Sequence, residues 1–124
     1  MFSVSAANHC TYCGAFLEVT CRTVGVEGET LQAIVNDLDS LNPERIQVII
    51  RFAQKVARSP YAVMEEEFDL IRSYGITDEE MLEIVSLAAM GNYFDTIADT
   101  LKLESDDIFK RALPDGPLVT SADR

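Results

Sequence analysis

The tetrapeptide Thr77-Asp78-Glu79-Glu80 constrains this chain most, because it spells a helix capping box and opens directly onto an apolar run. In such a box the threonine hydroxyl accepts from the amide three residues on, and the glutamate carboxylate accepts from the threonine amide. Two orphan donors of a helix start are thereby satisfied. The run behind it, Met81 to Ala98, is apolar nearly all round between Ile84 and Gly91. That pattern predicts a long helix over about residues 78–103, central rather than on the surface.

A helix of that kind must be covered by others, and the rest of the chain supplies them. One is expected from about Asn8, as N-cap, to Val24, with Gly25 just past its end. A second, about Glu29 to Asp39, puts Leu31, Ile34, Val35 and Leu38 on one face. A third opens at Asn42-Pro43, runs through Ile46, Ile49, Phe52, Ala53 and Val56, and stops at Ser59-Pro60. A fourth begins near Met64 or Glu65, with Glu65-Glu66-Glu67 as a solvated first turn, and ends at Gly75. The strict alternation of a half-buried strand is missing throughout. The class is all-α, with about five helices over residues 1–105. Residues 106–124 form an acidic, Pro/Gly-containing tail, expected to be loosely held.

At 124 residues the chain makes one domain, and 21 acidic against 10 basic residues leave a net charge of −11. Such a surface repels phosphate backbones and anionic lipid heads, so neither nucleic acid nor membrane is an expected partner. No apolar run reaches the ~20 residues of a membrane span. The first ten residues, MFSVSAANHC, lack a signal peptide's basic start and small-residue cleavage site, and a cytoplasmic location is expected.

The motif that carries chemistry is Cys10-Thr11-Tyr12-Cys13. On a helix, Cys10 and Cys13 stand one turn apart on one face, close enough for their sulfurs to form a disulfide. Cys21 lies about 16 Å further along such a helix, at 1.5 Å per residue, and reads as an ordinary buried thiol. A tetrahedral zinc site would need ligands from elsewhere; there is no second cysteine pair and His9 is the only histidine. No metal and no cofactor is expected. With Asn8 as cap, Cys10 falls in the first turn, where free amides and the helix dipole lower a thiol pKa. His9 and Cys13 would then be i, i+4, so the imidazole could take up the thiol proton; the alternative is a solvated first-turn histidine. Tyr12 reads as a packed wall of the site, and Asn92 and Asp95, which interrupt the apolar helix, as buried polar groups that need partners or line a pocket near the thiols.

The series Ser5-x-x-Asn8-x-Cys10-x-Tyr12-Cys13 resembles the S-x-x-N-x-C-x-Y-C signature of the AhpD-like/carboxymuconolactone decarboxylase family, in its peroxidase-related branch. Glu44-Arg45, Phe52-Ala53-Gln54-Lys55 and Arg58-Ser59-Pro60 are similar to a further segment of that family. So are Leu70-Ile71-Arg72 to Gly75 with Thr77 to Val85, and Asn92-Tyr93-Phe94-Asp95 with Ile97-Ala98-Asp99. The resemblance implies an all-helical homo-oligomer, trimer or hexamer, that reduces hydroperoxides through a thiol/disulfide cycle and is recharged by a thiol/disulfide reductant. It also implies that Cys13 is the peroxidatic thiol and Cys10 the resolving one.

This chain departs from the family's pattern at its proton relay. The relay histidine, four residues after the second cysteine, is Leu17 here, and the residue before it is Phe16. A glutamate about a dozen residues before the first cysteine would fall ahead of Met1, as would the family's first helices, so a truncated or degenerate member is expected. The arginine of the closing motif is Thr96. Two readings follow: a thiol-dependent oxidoreductase using Cys13, Cys10 and His9, or a non-catalytic, redox-sensing helical oligomer. The retained Cys-x-x-Cys favours the first.

Overall fold

The computed structural model describes residues 1–121. Among them are seven α-helices and no strand: α1 (Phe2–Asn8), α2 (Thr11–Thr23), α3 (Gly28–Asn36), α4 (Glu44–Arg58), α5 (Glu65–Ser73), α6 (Asp78–Thr100) and α7 (Asp107–Ala112). Short 3-10 turns at Leu38–Ser40 and Pro60–Ala62 join α3 to α4 and α4 to α5. The all-α class and the four helices from residue 28 to 100 agree with the sequence. The Thr77 box forms: the Glu80 amide donates to the Thr77 hydroxyl at 3.2 Å and the Thr77 amide to the Glu80 carboxylate at 2.9 Å. Among the described residues no helix is long and apolar enough to cross a membrane.

Three expectations are corrected. The first concerns the N-terminal ten residues, which are not a lead-in to a helix capped by Asn8. Residues 2–8 are themselves a helix, Asn8 is its last residue, and His9 ends it in the left-handed region at φ 55°. Cys10 is the N-cap of the next helix. Nothing in MFSVSAAN carries a cap or an amphipathic period, because α1 is wrapped on several sides and has no solvent face to pattern. Phe2, Ser3, Val4, Ser5 and Ala6 are all buried, and α1 packs on α2, α3, α4 and α6.

The second correction concerns α6. It contacts α4, α1 and α2, yet its buried seam is Met81, Ala88, Gly91, Asp95 and Ala98, mostly small residues at three- and four-residue spacing. Gly91 sits where a β-carbon would lie 3.4 Å from the Val4 Cβ, so the small seam lets α1 lie close. The large side chains Leu82, Leu87, Met90, Tyr93, Phe94 and Ile97 point outward and are exposed. An all-apolar helix has no pattern to say which face turns inward, and here the smooth face does.

The third is the tail. After α7 it turns back onto α2: Val119 is buried, and the Leu118 amide donates to the Glu18 carboxylate at 2.8 Å. Glu18, 1% exposed, also accepts from Arg22 at 2.9 Å, so this buried acid is satisfied. Phe16 and Phe109 meet edge-on, with ring centroids 5.5 Å apart.

The tail's seat depends on Gly14, since a β-carbon there would lie 2.5 Å from the Val119 Cβ. Gly14→Ala is therefore expected to destabilise the protein by ~1–3 kcal/mol, the usual cost of overpacking. Thermal denaturation of the two proteins checks this, and Val119→Gly in the Gly14→Ala background should recover part of the loss.

Candidate active site

The two polar motifs of the sequence, far apart in the chain, meet where α1 crosses α6. The Ser5 hydroxyl donates to Asp95 Oδ1 at 2.6 Å, and the Asn8 amide donates to Asp95 Oδ2 at 2.9 Å and to Asn92 Oδ1 at 3.0 Å. Asp95 is 2% exposed and Ser5 fully buried. Both carboxylate oxygens are held by neutral donors, so the carboxylate is fixed in direction without a salt bridge.

The left-handed turn at His9 reverses the chain between α1 and α2 and sets Cys10 and Cys13 against this carboxylate. The Cys10 and Cys13 sulfurs and a carboxylate oxygen of Asp95 all lie within 4.8 Å of one another, and all three residues are buried. Both thiols are free. Asp95 thus adds a carboxylate to the cysteine pair, one that cysteine spacing alone did not supply. Cys21 is outside the group and packs beside the cluster of Phe2, Ala6 and Leu31.

The thiols differ in access. A cavity of about 420 Å³ opens beside Cys13, lined by Tyr12, Phe16, Leu17, Phe94 and Asp95 among others, while Cys10 is not part of its wall. Cys10 is 0% exposed. Tyr12 is the wall the sequence anticipated, and Leu17 gives the cavity an apolar side.

Helix-end electrostatics do not prevail here. Burial pushes the Cys10 thiol up to about 11 from 9.0, with the Cys13 backbone N–H and side chain offsetting part of that rise. Burial pushes the Cys13 thiol up further, and its S–H has two acceptors, the Cys10 sulfur and the Asp95 carboxylate, which both favour the protonated form. A helix N-terminus contributes ~0.3–1 kcal/mol, under one pKa unit. Desolvation and a neighbouring carboxylate outweigh it.

His9 occupies the junction next to Cys10, and the cavity wall does not include it. The i, i+4 relation to Cys13 required one continuous helix, and the break at His9 removes it. The sequence placed Asp95 as a buried polar group in need of partners or lining a pocket near the thiols, and the structure makes it the centre of the site. The signal was present as an aspartate in an otherwise apolar seam, four residues from Gly91 and three from Ala98.

Among solved structures, the chain is similar to the crystal structure of an uncharacterized peroxidase-related protein from Silicibacter sp. TM1040. The TM-score is 0.79 at 21% sequence identity, and the match covers 87% of this chain and 57% of that one. The likeness is one of fold, and the chain spans little more than half the length of that neighbour. No family model matches the chain, and no curated protein matches it.

The raised thiols carry a prediction. A proton held more tightly in the folded state than in the unfolded one stabilises the fold while both states keep it, and that contribution is lost as pH rises from the unfolded pKa to the folded one. The contribution is present in full below about pH 9, the unfolded thiol's value, and falls away between there and about 11, the folded value for Cys10. Melting of the reduced protein should accordingly shift to lower temperature across that window, and Cys10→Ala should flatten the decline.

Proposed function

We propose that this protein is a thiol-dependent oxidoreductase that reduces hydroperoxides through a Cys10–Cys13 disulfide cycle. One observation carries the reading: two adjacent buried thiols, of which only Cys13 faces a cavity. Cys13 is the attacking thiol and Cys10, one turn earlier and closed off from the cavity, the resolving one. The fold shared with a peroxidase-related protein supports the reading.

The chemistry balances with these two thiols. Cys13 sulfur attacks the near peroxide oxygen; the S–O bond forms as the O–O bond breaks, and the alcohol leaves with the proton from the thiol. Cys10 then attacks the sulfenic sulfur, the S–O bond breaks, and water leaves as the disulfide forms. An external dithiol or thiol/disulfide reductant restores the pair, in keeping with a cytoplasmic setting.

The raised thiol pKa values favour the second reading, a redox-sensing or non-catalytic oligomer. The two separate by experiment. Treatment with an organic hydroperoxide should convert Cys10 and Cys13 to an intramolecular disulfide while Cys21 stays reduced, as read by mass spectrometry. Cys13→Ser should abolish peroxide consumption, and Cys10→Ser should trap a sulfenic acid or an intermolecular disulfide at Cys13. Cys13 alkylation no faster than that of free cysteine, with no disulfide after peroxide, would establish the second reading.

The exposed face of α6 supports a homo-oligomer, trimer or hexamer, in either reading. Leu82, Leu87, Met90, Tyr93 and Phe94 are exposed along one helix, and exposed apolar surface of this kind marks interaction sites. Sedimentation at micromolar concentration should give a multiple of 13.8 kDa. A stable species at 13.8 kDa would overturn the assembly.

A further inference from the structure

We propose that Asp95 is the proton acceptor and donor of this site, taking the Cys13 thiol proton as sulfur attacks and returning it to the leaving oxygen. The inference rests on the thiol-peroxidase reading and deepens it. Four observations on the site converge. The carboxylate lies within 4.8 Å of both sulfurs, it is 2% exposed, it lines the same cavity as Cys13, and the Cys13 S–H has it as an acceptor. Ser5 and Asn8 pin its two oxygens, so its direction toward the thiols is set by α1.

Charge conservation is the physical argument. A thiolate made by release of a proton to solvent would put two anions, sulfur and carboxylate, in one buried pocket, and both burial and repulsion oppose that. Passing the proton from sulfur to carboxylate leaves the net charge of the pocket unchanged, so the negative charge moves instead of doubling. The proton that Asp95 gains lies beside the developing alkoxide, so the alcohol leaves neutral and the carboxylate is regenerated. The same carboxylate lies within 4.8 Å of the Cys10 sulfur, and in the resolving step it takes the Cys10 proton and gives it to the departing hydroxide as water. No proton enters or leaves the site between the two steps, and the products are an alcohol, a water and a disulfide from a hydroperoxide and two thiols.

The alternative role for a buried carboxylate beside a thiol is repulsion alone, and the two roles predict opposite signs. Asp95→Asn preserves the contacts, because the Ser5 hydroxyl can accept from an amide as well as donate to a carboxylate. On pre-reduced protein mixed with cumene hydroperoxide, Asp95→Asn should slow Cys10–Cys13 disulfide formation by ~10²–10⁴-fold, the range for loss of a general acid–base. Iodoacetamide alkylation of Cys13, whose iodide leaving group needs no proton returned to it, should slow by much less in the same variant. If both reactions quicken, Asp95 only repels; if both slow equally, it only shapes the site; either result overturns the proposal. Should Asp95→Asn fail to fold by circular dichroism, Asp95→Ala supplies the second test. Added formate should accelerate its disulfide formation where chloride at equal ionic strength does not, and absence of that acceleration sinks the proton role. A wild-type protein that forms no disulfide with hydroperoxide would remove the peroxidase reading itself, whereas a reactive wild type with an equally reactive Asp95→Asn removes only this inference.

Discussion

The crossing of α1 over α6 rests on a single buried carboxylate. Asp95 is tied to Ser5 and Asn8 across 90 and 87 residues of sequence, and these are the polar contacts that fix the register of the two helices. Burying a carboxylate is costly unless its oxygens are satisfied, and here both are. The requirement runs in both directions. Only an α1 with a serine and an asparagine one turn apart on one face can cover that carboxylate. Only a seam of small residues, Ala88, Gly91 and Ala98, lets α1 come close enough to do so.

The thiols follow from this crossing. Because α1 must end at Asn8 to present its amide to Asp95 and Asn92, the chain has to turn immediately, and His9 takes the left-handed conformation that turns it. Histidine is among the residue types enriched there. The turn makes Cys10 an N-cap and puts Cys13 in the first turn of α2, with both sulfurs against the carboxylate. The arrangement that stabilises the crossing is therefore the one that raises the thiol pKa values.

Much of this was legible in the sequence, and the parts that were not have a common cause. The capping box at Thr77, the stop at Ser59-Pro60 and the amphipathic faces of α3, α4 and α5 could be read because those helices have a wet side. Patterning records the difference between core and water. Helix α1 has little water on any side and only seven residues, so MFSVSAAN shows neither period nor cap. Helix α6 is apolar on both sides, and composition cannot rank a small face against a large one. The site was half legible for a related reason. Cys10 and Cys13 announce themselves by spacing, but their environment depends on Asp95, which is 82 residues from Cys13 and joined to it only through the fold. The His9 relay was inferred from one continuous helix through residues 8–24 and lapses with the break at His9, whereas the lowered thiol pKa is overturned by burial of both thiols. The tail gave no sign of its packing, because Val119 and Leu118 form no periodic segment and their seat exists only as the gap at Gly14 and the acceptor at Glu18.

The inverted polarity of α6 joins the site to the outer surface. With the small residues spent on the α1 contact, its bulky side chains have nowhere to go but outward, and two of them, Phe94 and Ile97, are also walls of the cavity at Cys13. The cavity mouth and the exposed apolar stripe are thus parts of one continuous surface. Any apolar partner that covers the stripe near Phe94 also narrows the mouth of the cavity and removes water from it. In a drier cavity a lone thiolate is harder still to form, whereas a proton passed between neighbouring groups leaves the net charge unchanged. Access and electrostatics at Cys13 are therefore set by the same helix, Asp95 on its inner face and Phe94 beside it on the outer one.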